Sequence, residues 1–415
     1  MDSHTIDLTR FIVMLSDALE LAAPGMARHQ TKTSYIALRI ADKLGFSRAR
    51  KRDLIYASLL HDIGALSPEE KVELETLNPL LVEKHSRGGQ IVLSRVPLLS
   101  HSAAIVGNHH VPWKSLRDQD EPEGFDSNII HLADSVEIAI DWANYVLFQH
   151  EMEQKRIHKL RGDEFAPEIE DAFQEVSSAE EFWLRLASPE LPSDFAEDES
   201  LVDYRCSIAE FAPISRLVRD IIDFRSTFTA THSSGVAASA SVVGLLLGFS
   251  EDDRIALEIA GNLHDLGKMA VPNVILLKPG SLDEKEMAIM RQHPYHTETV
   301  LARAKVPAHI VEWAGLHHER LDGSGYPHRA VAADISLGSR VMSVMDIFTP
   351  LAEERPYRGA MNRESIRRVL NDGANSGALE SSVVELVQDG HDTIHKAMKA
   401  APDGAALFYR TQLAG

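Results

Sequence analysis

The chain has 415 residues, enough for two or three domains with sizeable cores. Its 62 acidic residues outnumber the 42 basic ones, and the formal charge of −20 argues against broad binding to a nucleic acid polymer or an anionic membrane. A single cysteine, Cys206, excludes an intrachain disulfide and a multi-thiolate metal site and suits a reducing cytoplasm. The most apolar run, Val242 to Phe249, is far shorter than the roughly 20 residues of a membrane helix. Asp2, Asp7, Asp17 and Glu20 leave no secretory leader to expect at the N-terminus.

In chain order, Gly45-Phe46-Ser47 reads as punctuation, the glycine ending one helix and the serine capping the next. Leu54-Ile55-Ala57-Leu59-Leu60 has the three-and-four spacing of an amphipathic helix. Residues from about 150 to 212 are charged, with Pro167, Pro189, Pro192 and the run Glu197-Asp198-Glu199, and predict a helical connector with a flexible portion. Gly248-Phe249-Ser250 repeats the punctuation, and Ile255-Ala256-Ile259-Ala260-Leu263 and Val300-Leu301 with Val306 repeat the helical spacing. No convincing run of alternating strands is present.

Histidine is the unusual residue, with 20 copies. The first half carries His29, His61-Asp62, His85, His109-His110 and Asp134; the second carries His232, His264-Asp265, His293, His317-His318 and Asp346. His29 to His61 and His232 to His264 are both 32 residues apart, and His85 to His109 and His293 to His317 are both 24 apart. Leu44-Gly45-Phe46-Ser47 and Leu247-Gly248-Phe249-Ser250 occupy matching offsets. An internal duplication explains these matches. The copies differ after His-Asp, where the second is longer, and after the double histidine, where Val111-Pro112-Trp113-Lys114 stands against Glu319-Arg320-Leu321-Asp322-Gly323-Ser324-Gly325-Tyr326-Pro327. The predicted fold is therefore all-α: two tandem helical bundles, residues 1–150 and 213–415, joined by a helical connector over 151–212.

Histidine and carboxylate side chains without thiolates suit iron, manganese, cobalt, nickel or zinc better than calcium or magnesium. Adjacent His264 and Asp265 on a helix point about 100° apart, so the carboxylate can bridge two ions while the imidazole serves one. A two-metal centre activates a water and steadies the charge of an in-line phosphoryl displacement, which makes phosphoester hydrolysis the favoured reaction class. His296, one turn after His293, is better read as a solvated face residue.

His264-Asp265-Leu266-Gly267-Lys268 and the segment from His317 to Pro327 resemble the HD-GYP family, a bacterial branch of the HD-domain phosphohydrolases, over roughly residues 226–368. The first half resembles a plain HD domain without the Gly-Tyr-Pro part. The resemblance implies two HD-type bundles and hydrolysis of cyclic di-GMP or cyclic GMP-AMP to the linear dinucleotide, with mononucleotides as a further stage. It implies two divalent ions, iron or manganese before other transition metals, on His232, His264, Asp265, His293, His317, His318 and Asp346, with Asp265 bridging. Lys268 is implied at the scissile phosphate, and Gly323, Gly325, Tyr326, Pro327, Arg355 and Arg358 at the substrate. Members with three metals have a glutamate where this chain has Phe228, so two are expected here; Thr297 stands where glycine is usual, and Pro350 replaces a residue of the usual helix after Asp346. In the first copy His29, His61, Asp62, His85, His109, His110 and Asp134 form a second candidate metal site, but Ala65 replaces the lysine and no arginine pair follows Asp134. The rival readings are a cyclic-dinucleotide-responsive signalling or receptor module with little turnover, and a nucleotide monophosphatase or pyrophosphohydrolase. A cytoplasmic location is expected, and a homodimer is left open.

Overall fold

The computed structural model describes residues 5–20, 28–65, 79–118, 123–191, 195, 204–225, 231–354 and 359–401. The described residues of 7–204 form one compact unit, and those of 205–413, with Thr5 and Ile6, form another. Both are helical. The one sheet among the described residues pairs β1 (Thr5–Asp7) with β2 (Arg205–Ser207), and three residues apiece are too few to display alternation in the sequence.

The first unit contains α1 (Leu8–Glu20), α2 (His29–Lys43), α3 (Arg48–Leu59), α4 (Pro79–Leu93), α5 (Ser100–Gly107) and α6 (Glu123–Ala139). Gly45 takes a left-handed φ of 68° after α2, and the Ser47 hydroxyl caps α3 by accepting from Arg50 N. Helix α2 lies against α3 and α6, and Ile36, Ile40, Leu54, Ile55, Leu59, Ile129 and Ile130 are buried. Each such side chain contributes about 1.5–3 kcal/mol by leaving water.

The stretch expected as a connector supplies α7 (His150–Lys159), α8 (Pro167–Ser177) and α9 (Glu180–Leu186) to this same unit. Ile157, Phe165, Ile169, Phe173, Phe182 and Trp183 are buried, and so are Glu153 and Glu170, paired with Arg156 and Arg161. The Phe182 and Trp183 rings meet edge-on at 5.1 Å, and α8 and α9 both contact α2. The boundary expected at 212/213 falls inside α10 (Ile208–Arg225).

The second unit continues with α11 (His232–Leu246), α12 (Glu251–Leu263), α13 (Glu284–Met290), α14 (His293–Arg303), α15 (Ala308–Gly315), α16 (Leu337–Ala352), α17 (Arg363–Asn375), α18 (Ser381–Asp389) and α19 (His391–Ala400). Helix α11 is its central element, touching α12, α16 and α19. Ser250 caps α12 by accepting from Asp253 N, as Ser47 does for α3. Pro350 sits inside α16; lacking an N–H, it cannot donate to the Asp346 carbonyl one turn earlier.

A short 3-10 segment, His61–Gly64, contains the His-Asp pair of the first unit, and another, Leu266–Ala270, directly follows that of the second. These segments run against α4 and α14. A Cβ on Gly267 would stand 1.9 Å from the His293 carbonyl oxygen, and one on Gly64 would stand 2.0 Å from that of His85. Only glycine permits this approach, which brings the second and third histidine segments, the His-Asp pair and His85 or His293, together. Gly267→Ala is expected to cost about 3 kcal/mol, the upper end for overpacking, read as a lower urea midpoint; an unchanged midpoint would show that the two backbones do not need this contact.

Candidate metal centre

His232 and His293 open α11 and α14, His264-Asp265 follow α12, His317-His318 follow α15, and Asp346 lies within α16. All seven converge. His232 Nε2 is 3.2 Å and His264 Nε2 is 3.7 Å from Asp346 Oδ1, and His318 Nδ1 is 3.5 Å from Asp346 Oδ2. Asp265 stands between two groups, with Oδ2 3.3 Å from His264 Nε2 and Oδ1 3.4 Å from His293 Nε2. The possible donors of His232, His264 and Asp346, and separately those of His293, His317 and His318, lie within 4.8 Å of one another.

The hydrogen bonds define which nitrogen faces the centre. His264 Nδ1 donates to the Gly261 carbonyl at 2.7 Å, His293 Nδ1 to that of Met290 at 2.8 Å, and His317 Nδ1 to that of Ala314 at 2.7 Å. A carbonyl only accepts, so each Nδ1 carries a proton. His293 and His317, which burial keeps neutral, present a bare Nε2 to the centre, whereas against burial Asp265 and Asp346 pull His264 up to about 9, so its Nε2 is freed when an ion replaces the proton. His293 Nε2 and His317 Nε2 then face each other at 3.2 Å, two lone pairs that repel unless a cation lies between them. The buried His264 Nε2 has no hydrogen-bond partner. Burial, with Lys268 and His318 nearby, pushes His293 down to about 3 against the pull of Asp265. Burial likewise holds His318 at about 4, and His317, with His318 and His264 adding to the effect, well below its usual value. Burial opposes charge on Asp265 too, but His264 and Lys268 outweigh it and hold the carboxyl well below the ordinary range. Carboxylates held ionised beside imidazoles held neutral, as His293, His317 and His318 are, are the donor set a divalent transition metal requires.

Lys268 Nζ donates to Asp265 Oδ2 at 2.6 Å. The Gly-Tyr-Pro loop reaches the same place: the Tyr326 ring lies 4.8 Å from that of His318, and Tyr326 N donates to the His318 carbonyl at 3.3 Å. Gly323 has a left-handed φ of 77°, and a Cβ on Gly325 would stand 2.4 Å from Arg320 N. Pro327 follows through a cis peptide. Arg355, Arg358 and Phe228 lie outside the described residues. His296 is half-buried and belongs to none of the candidate clusters.

Four features were not anticipated from the sequence. Thr297 is a clamp: its hydroxyl accepts from Gly267 N at 2.9 Å and donates to the His264 carbonyl at 2.8 Å, which fixes the His-Asp turn. Buried Glu319 accepts from His328 N at 2.6 Å and Ala330 N at 3.0 Å, tying down the far side of the Gly-Tyr-Pro loop. The Arg291 guanidinium lies 5.3 Å from the Tyr326 ring centroid. In the first unit Glu137, one helical turn after Asp134 on α6, meets His29 Nδ1; that one-turn offset is the signal the sequence offered.

The first unit gathers its own seven candidates. His29 Nε2 is 3.3 Å from Asp134 Oδ1 and 3.6 Å from Asp62 Oδ2, and His85 Nε2 is 3.5 Å from Asp62 Oδ1. His61 Nδ1 donates to the Ser58 carbonyl and His109 Nδ1 to that of Val106. Facing Nε2 pairs recur, His29 with His61 at 3.2 Å and His85 with His109 at 3.1 Å. His85, His109 and His110 form one possible donor group. Buried Ala65 stands where Lys268 stands in the second unit.

These geometries meet the comparisons with known proteins. The 3'3'-cGAMP-specific phosphodiesterase 1 of Vibrio cholerae is 27% identical over 394 residues, 92% of this chain and 91% of its own length. The 3'3'-cGAMP-specific phosphodiesterase 3 of the same organism is 24% identical, covering 90% of this chain and 92% of the relative. The cyclic di-GMP phosphodiesterase response regulator RpfG of Xanthomonas campestris is 37% identical over 156 residues, 37% of this chain and 40% of its own. A crystal structure of cyclic GMP-AMP specific phosphodiesterases in V. cholerae aligns over 96% of this chain and 99% of its own at a TM-score of 0.61 and 22% identity, a likeness of fold. The sequence model of the HD domain matches residues 13–134 and 216–382, the two stretches that carry the histidine clusters, and the chain belongs to the HD domain family.

Proposed function

We propose that this chain is a metal-dependent phosphodiesterase that opens a cyclic dinucleotide, cyclic di-GMP or cyclic GMP-AMP, to its linear form. The observation that carries the reading is the position of Asp265, which faces both histidine groups of the second unit and holds Lys268 on Oδ2. The names of the relatives, cyclic GMP-AMP and cyclic di-GMP phosphodiesterases, support the substrate class. Two divalent ions at this centre, iron or manganese by donor type, would supply an activated water and neutralise charge on a phosphate. His232, His264 and Asp346 would hold one, His293, His317 and His318 the other, and Asp265 both.

The chain's own residues do the rest. Asp265 orients Lys268, and the ammonium, half-buried beside the centre, neutralises charge that develops on the phosphate oxygens. Tyr326, against His318, gives the substrate a flat wall, and the loop glycines let that wall approach. In so acidic a chain a dianionic ligand needs local positive charge; Lys268 supplies it, and Arg355 and Arg358 are assigned to the same task. The first unit, with Ala65 for the lysine and no Gly-Tyr-Pro loop, is assigned metal binding without turnover. Among the described residues no helix is long and apolar enough to cross a membrane. The proposed setting is the cytoplasm, with no nucleic acid polymer or membrane as partner, and a homodimer is the assembly to test by light scattering.

Chromatography of products after incubating the manganese- or iron-loaded chain with cyclic di-GMP, and separately with cyclic GMP-AMP, decides the reading. A linear dinucleotide from either supports it; binding of both without conversion would favour a receptor module instead. Lys268→Ala is expected to lower kcat by about 10²–10³-fold, the usual loss for one charge-stabilising group, with a smaller change in KM. Equal kcat in the two proteins would place the phosphate elsewhere.

A further inference from the structure

The two histidine clusters share a scaffold but not a support. In the first, His29 Nδ1 donates to Glu137 Oε2 at 2.5 Å, and Lys32 Nζ donates to Glu137 Oε1 at 3.1 Å. Glu137 is 5% exposed, and Lys32 is further held 3.5 Å from the Trp142 ring centroid. At the matching positions of the second cluster, Thr349 replaces Glu137 and Gly235 replaces Lys32. The Thr349 hydroxyl faces Ser239 Oγ at 3.5 Å, and the buried His232 Nδ1 has no hydrogen-bond partner.

We propose that Glu137 is a positioning residue that makes the first cluster hold its metal more tightly than the second, so that the two centres load and empty separately. A carboxylate that takes the distal ring N–H fixes the tautomer and rotation of the imidazole and raises the basicity of the nitrogen facing the ion; removing such a partner typically costs 10–100-fold in metal affinity. Lys32 keeps Glu137 in place without touching His29. A second contrast acts in the same direction. In the second cluster the Lys268 ammonium already occupies Asp265 Oδ2 at 2.6 Å and competes with an ion for that oxygen, whereas Ala65 brings no charge to the first. The tight centre is thus the one without the catalytic lysine: its metal is retained for structure, while that of the second cluster exchanges.

The inference rests on both clusters being metal centres, and one experiment separates the two claims. The full-length chain is loaded with manganese(II), titrated with a chelator, and its metal per chain counted after each step. Wild type should empty in two stages. Asp265→Ala should lack the loose stage, and His61→Ala/Asp62→Ala the tight one. Glu137→Leu should move the tight stage about 10–100-fold toward the loose one, while Glu137→Gln, which keeps an acceptor for the His29 N–H, should move it less. Lys32→Met should leave most of the tightness. Helical circular dichroism reports that each variant is folded, together with an intact loose stage for the first-unit variants and an intact tight stage for Asp265→Ala. A tight stage unchanged in folded Glu137→Leu, or moved as far by Lys32→Met, would overturn the role of Glu137. Identical metal content in wild type and His61→Ala/Asp62→Ala would instead show that the first cluster holds no metal, and the reading beneath the inference would fall.

Discussion

Asp265→Ala is expected to empty the second cluster of metal and to lower hydrolysis by roughly 10³-fold or more, at least the effect of removing a principal electrostatic element from an active site. The expectation follows from position. Asp265 faces His264 Nε2 at 3.3 Å and His293 Nε2 at 3.4 Å; without it the two histidine groups share only Asp346, which stands farther off, 3.7 Å from His264 Nε2 and 3.5 Å from His318 Nδ1. The variant also strands Lys268, whose side chain is 17% exposed, so Asp265→Asn is the gentler companion, keeping shape and an acceptor while removing the charge. Helical circular dichroism should persist in both, because the helices of this unit are held by buried side chains such as Leu257, Ile259, Val341 and Phe348. Chelation of the wild-type protein should reproduce the loss, and added manganese or iron should restore it. Undiminished hydrolysis by metal-free Asp265→Ala would end the two-ion mechanism.

The positions that could be read from the sequence are those whose spacing is dictated by helices of equal length. His29 and His232 open a helix, the His-Asp pairs close the next, and both halves reach the pair after 32 residues because each must complete the same two helices and one turn. Ser47 and Ser250 were legible for the same reason, as caps at one fixed offset. Residues whose role depends on contacts between distant segments left no such trace. The Thr297 clamp depends on Gly267 lying against α14, and neither residue announces the other. Glu137 sits 108 residues from His29, and a glutamate on a helix face is ordinarily read as solvated. That 151–191 is helical was expected, but that α7 to α9 belong to the core of the first unit was obscured by composition: glutamate is the commonest residue there, while the buried stripe of Ile157, Ile169, Phe173, Phe182 and Trp183 is spread over three short helices, too brief for periodicity to stand out. The assignment of Lys268, Arg355 and Arg358 to the phosphates rests on motif resemblance; the geometry of the described residues places Lys268 on Asp265 Oδ2 and adds the Arg291 guanidinium over the Tyr326 ring.

The two halves are expected to respond oppositely to the same pair of substitutions. His264→Ala/Asp265→Ala should abolish hydrolysis, because it removes ligands from the cluster that also has Lys268 and the Gly-Tyr-Pro loop. His61→Ala/Asp62→Ala should leave the chemical step largely intact and appear as lost metal and lower thermal stability, since an ion that binds only the native state stabilises it by mass action. The reason lies in what surrounds each His-Asp pair. Ala65 is 4% exposed and apolar where Lys268 carries a charge, and Val111-Pro112-Trp113 runs directly into a short helix, Trp113–Leu116, where the second unit forms the loop that lays Tyr326 against His318. A metal there would meet a phosphate without the charge that lowers its barrier, a deficit of a few kcal/mol. Steady-state turnover and metal content measured on the same preparations give the answer. Loss of hydrolysis in His61→Ala/Asp62→Ala with assembly intact, together with survival of hydrolysis in His264→Ala/Asp265→Ala, would place the chemistry in the first unit and reverse the assignment.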